Sequence, residues 1–346
     1  MVRFLSVLGL VCVSIACGPM APVARLQPGA AGGNTIQPDP KFYELYRPGD
    51  PITDQATGAP GSHSSLVGTS EAEDSDVRDD DFAANVAVPA LRAGAGLYLS
   101  LGQCFSGGFF DELAPLHGTQ SILTSARHSE TASYGEEPPG GVDVDYTDAF
   151  IRALADGRVP AEQVAAETTA LNPFGPNPAA ARIGEQEGSE HAQYLALGDG
   201  ANLRPAEHAQ SGMAVLWAGM PAERDGVQMN LMIDHLVSMG FDRDHIWLLY
   251  GGGQADAAHP IVKSHILGQI KPIHLLAATR KQLFGLFSST FASKQGPLPS
   301  FVFLYVGDHG GLNAVKEAKL HFGLPDRLIT NAPPSPMYGE GDRHFQ

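Results

Sequence analysis

The sequence predicts an α/β fold organised around a mostly parallel sheet. Three observations carry this expectation. From Ala214 onward, short apolar runs alternate with amphipathic stretches, the pattern of repeated strand–helix units. The strand runs are apolar almost without a break, so both faces of the sheet have to be covered. Two of these runs, residues 97–101 and 301–306, end in glycine-bounded turns that carry a reactive side chain, Cys104 in one and His309 in the other.

The elements follow in order. Residues 1–17 have the pattern of an export leader. Arg3 supplies a positive start, residues 4–15 are apolar but too short to span a bilayer, and Ser14-Ile15-Ala16-Cys17-Gly18 closes the run. Small residues before a cysteine resemble the bacterial lipoprotein cleavage box, with Cys17 as the lipidated residue. Ser14 stands where that box usually has Leu, and an ordinary secretory signal is the alternative. Residues 18–80 are rich in Gly, Pro, Ala, Ser and acids, and are expected to form a disordered tether. Within it Glu71, Glu73, Asp74, Asp76, Asp79, Asp80 and Asp81 crowd a run broken only by Arg78, which reads as a solvated linker.

Structure is expected to begin near Phe82, where Phe82, Val86 and Leu91 suggest a helix in which Pro89 sits awkwardly. Residues 97–101 and 121–124 read as strands, and residues 148–155 as a helix. Periodicity fades over residues 159–212, which are assigned to a linker. Strands are then expected at 214–219, 245–250 and 301–306, and helices at 230–239 and 279–291. Gly240 stops the first of these helices, and Thr279 with Gln282 forms a capping box at the second. The expected domain is residues 81–330, with a cysteine-bearing half (81–158), the linker and a histidine-bearing half (213–330). Residues 331–346 form a tail.

Charge and cysteine count narrow the function. The net charge of -16 argues against a nucleic-acid partner, because binding phosphates needs a basic surface. Of three cysteines, Cys12 and Cys17 lie in the leader, so Cys104 is the one thiol of the mature domain. A lone cysteine is compatible with a small buried hydrophobe or with a nucleophile. Strand ends at the carboxyl edge of an open α/β sheet are where ligands bind. Neighbouring parallel strands would bring Cys104 and His309 to one edge, where a base can activate a thiol and backbone N–H groups can hold an oxyanion.

The motifs carry a resemblance. Phe303-Leu304-Tyr305-Val306-Gly307-Asp308-His309-Gly310 resembles the strand and His-Gly signature of caspase-like peptidases. Gln103-Cys104-Phe105-Ser106-Gly107-Gly108 resembles their cysteine box. Residues 123–127, with Glu130, Ser133 and Tyr134, are similar to the strand and loop that follow the cysteine in legumain-like enzymes. The resemblance implies a caspase-like three-layer α/β/α sandwich. In that clan the histidine strand precedes the cysteine strand, whereas here it follows, so the chain looks circularly permuted. The break would fall between the histidine loop and the helix before the cysteine strand. The implied function is an exported cysteine endopeptidase acting on protein or peptide substrates. Cys104 would be the nucleophile and His309 the general base and acid, with the N–H groups of Cys104 and Gly310 as oxyanion hole. Ser133 and Arg224, the latter in the loop after the first strand, fall where legumain-like enzymes build their pocket. Gly102 stands where relatives often place a polar or acidic pocket residue. The alternative is a catalytically silent caspase-like module tethered by lipid to the membrane. The expected location is the bacterial cell envelope, by the lipid anchor at Cys17, or the exterior if the leader is secretory. No cofactor or metal is expected: His259, His265 and His274 lack zinc-site spacing. Gly251-Gly252-Gly253 could cradle a phosphate, but no Gly-Lys-Ser/Thr follows.

Overall fold

Alternate residues of Phe301–Val306 point into two separate cores. Phe301, Phe303 and Tyr305 belong to one, and Val302, Leu304 and Val306 to the other. Such a strand must lie in the middle of a sheet covered on both faces. In the computed structural model, which describes residues 44–45, 64–69, 75–128, 132, 146–172, 191–221, 223–254, 272–292, 297–307 and 310–312, it does. These residues all fall in one compact unit, Pro38–Gln346.

The strands are β1 (Glu44–Leu45), β2 (Ser64–Leu66), β3 (Val77–Arg78), β4 (Gly96–Leu101), β5 (Gln120–Thr124), β6 (Gln193–Leu197), β7 (Gly212–Ala218), β8 (Ile246–Tyr250), β9 (His274–Leu276), β10 (Phe301–Val306) and β11 (Gly310–Leu312). Eight form the main sheet in the order β1-β6-β5-β4-β10-β7-β8-β9. Every pairing in it is parallel except β5 with β6. The protein is therefore mixed α/β with a mostly parallel central sheet, as the sequence predicts. The other three strands make a small antiparallel sheet, β11-β2-β3.

Helices pack on both faces. On one lie α4 (Tyr146–Leu154), α5 (Ala161–Leu171) and α7 (Glu223–Met239), with Phe150, Leu154, Val164, Met232 and Leu236 fully buried against β10 and its neighbours. Tyr98, Phe150 and Phe303 form an aromatic stack there, with centroids 5.5–6.5 Å apart. On the other face lie α1 (Asp79–Phe82), α2 (Val88–Arg92), α3 (Phe109–Leu113) and α8 (Arg280–Ala292), with Phe82, Phe109, Phe110 and Phe287 buried. A short helix, α6 (Pro205–His208), lies between β6 and β7.

Three expectations need correction. The tether assigned to residues 18–80 contains folded chain: 64–69 is wholly buried, and Leu66 and Val77 are completely enclosed. Strands of two or three residues are too short for a periodic signature, so the sequence gives no warning of them. The acidic run is not all solvated linker, because Asp79, Asp80 and Asp81 form the first turn of α1 and Asp79 is buried. Carboxylates there complement the positive end of the helix dipole. The linker assigned to residues 159–212 holds α5, α6 and β6. In α5 the small residues Ala161, Ala165, Thr168 and Thr169 are buried beside Val164, which leaves only a weak apolar stripe. Pro89 is also accommodated. Residues Ala83–Ala87 wind as a π-helix, and the Val88 N–H bonds to the Ala83 carbonyl ahead of the proline. Among the described residues no helix is long and apolar enough to cross a membrane.

Candidate active site

β4 and β10 lie side by side and parallel, with Leu101 paired to Val306. The Gly102 N–H donates to the Val306 carbonyl at 2.8 Å, so the two strands leave the sheet together. Cys104 follows on one strand and His309 on the other, each three positions beyond the last paired residue. Cys104 itself is described. His309 lies outside the described residues, as do Ser133 and Cys17. The backbone of Gly310 is placed in β11. That of Arg224 lies in the first turn of α7, not in a loop as expected from the sequence. The helix starts earlier than its apolar periodicity, which is first evident near Asn230.

The cysteine turn is tightly held. Phe105 adopts a left-handed conformation, φ 58° and ψ 16°, the one non-glycine residue with positive φ among the described residues. A bulky residue there costs on the order of 1–2 kcal/mol, so its surroundings must impose the conformation. The surroundings are visible. Ser125 donates its hydroxyl to the Gln103 carbonyl at 3.0 Å. The Ser106 hydroxyl accepts from the Ala126 N–H at 3.2 Å, and the Gly107 N–H donates to the Ala126 carbonyl at 2.9 Å. Ser64, from β2, donates its hydroxyl to the Phe105 carbonyl at 2.6 Å. Gly108 is glycine because a β-carbon would run into the Ser64 side chain.

The thiol sits beneath Ala132, whose backbone N–H points at the Cys104 sulfur at 3.3 Å. The sulfur in turn lies 3.9 Å from the Ala132 carbonyl oxygen, so both backbone groups of Ala132 face the thiol. Cys104 is only 2% exposed. The preceding Gln103 is fully buried, and its side-chain amide makes no hydrogen bond among the described residues. At Gly102 a side chain would meet the Thr147 hydroxyl oxygen at 2.7 Å and the Val306 carbonyl at 2.8 Å, so α4 occupies the space where a pocket residue was looked for.

Two carboxyl groups lie under the turn. Asp79 accepts the Ser64 N–H at 2.7 Å and the Asp80 N–H at 2.8 Å. Asp111, on α3, has its carboxyl pushed up to about 7, first by burial and then by the charges of Asp79 and Glu112. Sequence reasoning found neither Ser64 nor Asp79 as a site residue. Ser64 stands in a stretch of tether composition, and Asp79 is hidden in an acidic run.

The remaining signals resolve plainly. The Gly251 N–H donates to the Ala218 carbonyl and the Gly253 N–H to the Tyr250 carbonyl, both at 2.9 Å, so two of the three glycines hold a turn and cradle no anion. His274 stacks on Trp247 at 5.0 Å and bonds through Nε2 to the Asp244 carbonyl oxygen at 3.0 Å. His259 and His265 lie outside the described residues. No group of three or more metal-ligating side chains occurs among the described residues.

The chain matches no protein-family model, no curated protein and no solved structure. Its chemistry must therefore be read from the turn at Cys104 and the strands that deliver it.

Proposed function

We propose that this chain is a cysteine endopeptidase of the caspase–legumain kind, circularly permuted. The observation that carries the reading is the register of β4 and β10, whose paired ends Leu101 and Val306 are each followed, three residues along the chain, by Cys104 and His309. The small sheet supports the permutation. β11, just after His309, pairs with β2, and β2 pairs with β3, which leads through α1 and α2 to the cysteine strand. Followed from β7 through β8, β10 and β11 and then to β2 and β4, the elements run in the order usual for that clan.

In the proposed reaction His309 takes the proton of the Cys104 thiol. The thiolate attacks the substrate's peptide carbonyl carbon, and the N–H groups of Cys104 and Gly310 hold the oxyanion. The C–N bond breaks as His309 returns the proton to the departing amine, leaving a thioester on Cys104. Water, deprotonated by His309, hydrolyses the thioester and restores the thiol. The substrates are proteins or peptides, met outside the cytoplasm. The leader exports the chain, and lipidation of Cys17 would hold it at the membrane. No nucleic acid is involved.

Two observations favour a second reading, a silent binding module of the same fold. Cys104 is almost fully covered, and position 102 has no room for a pocket side chain. Incubating the purified chain with a peptide library separates the two. Cleavage that disappears in Cys104→Ala supports the peptidase. No cleavage, or cleavage that survives the substitution, removes it.

A further inference from the structure

Ser64 is remote in sequence from the cysteine turn, yet it is the residue that holds the turn from below. It is 1% exposed. Its hydroxyl donates to the carbonyl of Phe105, the residue immediately after Cys104, at 2.6 Å. Its own N–H is fixed at 2.7 Å by the buried carboxylate of Asp79. Its strand is pinned on one side by β11, which begins at Gly310, and on the other by β3, which leads into Asp79. Ser64 is thus tied both to the cysteine turn and to the segment that follows His309. Phe105 needs such a tie, because left to itself the residue would relax out of the left-handed region and carry the Cys104 N–H and thiol with it.

We infer that Ser64 is a positioning residue for the Cys104 nucleophile, fixed in place by Asp79, holding the left-handed turn that sets the thiol against its backbone donor. The inference rests on the reading of Cys104 as a nucleophile. Ser64 touches neither substrate nor the reacting atoms, and acts through the Phe105 carbonyl. Thr can supply the same hydroxyl, whereas Ala cannot.

The test uses the full chain and two readouts. The first is alkylation of Cys104 by iodoacetamide across a pH series, followed at that cysteine by mass spectrometry. The second is cleavage of a peptide from the library above, with kcat and KM separated. Ser64→Ala is expected to move the alkylation midpoint, because the thiol is no longer held against the N–H and carbonyl of Ala132, and to lower kcat about 10-fold or more with little change in KM. Ser64→Thr restores both, and Asp79→Asn follows Ser64→Ala with a smaller effect. A purely structural serine would lower the melting temperature and leave the midpoint and kcat of the folded protein alone, and that outcome overturns the inference. If a variant does not fold, Ser64→Cys and Asp79→Glu read the same two quantities. Failure of the peptidase reading is distinct: the native chain then cleaves nothing, while Ser64→Ala still shifts the alkylation midpoint.

Discussion

The large sheet and the small sheet meet at the cysteine turn, and they are stabilised in different ways. The large sheet rests on apolar bulk. β10 is enclosed on both faces, and its Phe303 is fully buried against Tyr98 and Phe150. The small sheet has strands of two or three residues; Leu66 and Val77 anchor it in the core, and polar ties set its position: Ser64 to Phe105, Asp79 to Ser64, and the Trp217 indole N–H to the Val67 carbonyl at 3.0 Å. The large sheet supplies stability and brings the two strand ends together. The small sheet supplies little area but fixes the local shape of the turn.

Substitutions can break or sharpen this division. Phe303→Ala should cost about 3–5 kcal/mol of stability in denaturant unfolding, as a deep aromatic deletion does. The pH profile of Cys104 alkylation should stay unchanged in the protein that remains folded. Gly108→Ala should do the reverse. Its methyl group would push Ser64 off the turn, costing about 1–3 kcal/mol as a small overpacking change while removing most peptide cleavage. If Gly108→Ala cleaves like the native chain, the small sheet does not shape the site.

Asp111→Asn reads the ground beneath the turn. The Asp111 carboxyl is pushed up to about 7, so the folded state holds its proton where the unfolded chain has lost it. Stability from this group is present below the ordinary carboxyl range. It is lost as pH rises from about 4 through about 7, and does not change further above that. The group is partly exposed, so solvent reduces the effect. Thermal melts should give Asp111→Asn a Tm above the native protein by about 2 °C at pH 8 and none at pH 4. Equal melting temperatures at both would show that the carboxyl is not strained. Trp217→Phe removes the indole donor to Val67 and part of a fully buried ring, and should cost about 2 kcal/mol, visible as a shift of the urea midpoint.

The same division explains what could be read from the sequence. β4, β7, β8 and β10 are continuous apolar runs, and they foretold a mostly parallel sheet with β4 beside β10. Helix α8 was announced by Thr279, whose hydroxyl accepts the Gln282 N–H at 3.2 Å. The small sheet was illegible because β2 is three residues long and finds its partners in distant parts of the chain. β6 was missed because its surroundings at α5 and α6 are built from Ala, Thr and Pro, whose burial leaves little periodic trace. Asp79 was misread because composition cannot tell a carboxylate that caps a backbone N–H from one in water. The left-handed residue at Phe105 had no signal at all, since its conformation is imposed by Ser64, Ser106 and Ser125.

The pairing of β11 with β2 also bears on the order of assembly. During synthesis Ser64–Leu66 and the cysteine turn emerge well before Phe301–Val306 and Gly310–Leu312. Until they arrive, β4 lacks its neighbour on one side, and β2 has only β3 to pair with. Contacts of such long sequence separation form slowly. The small sheet beneath the thiol turn is therefore completed only once β11 has been made.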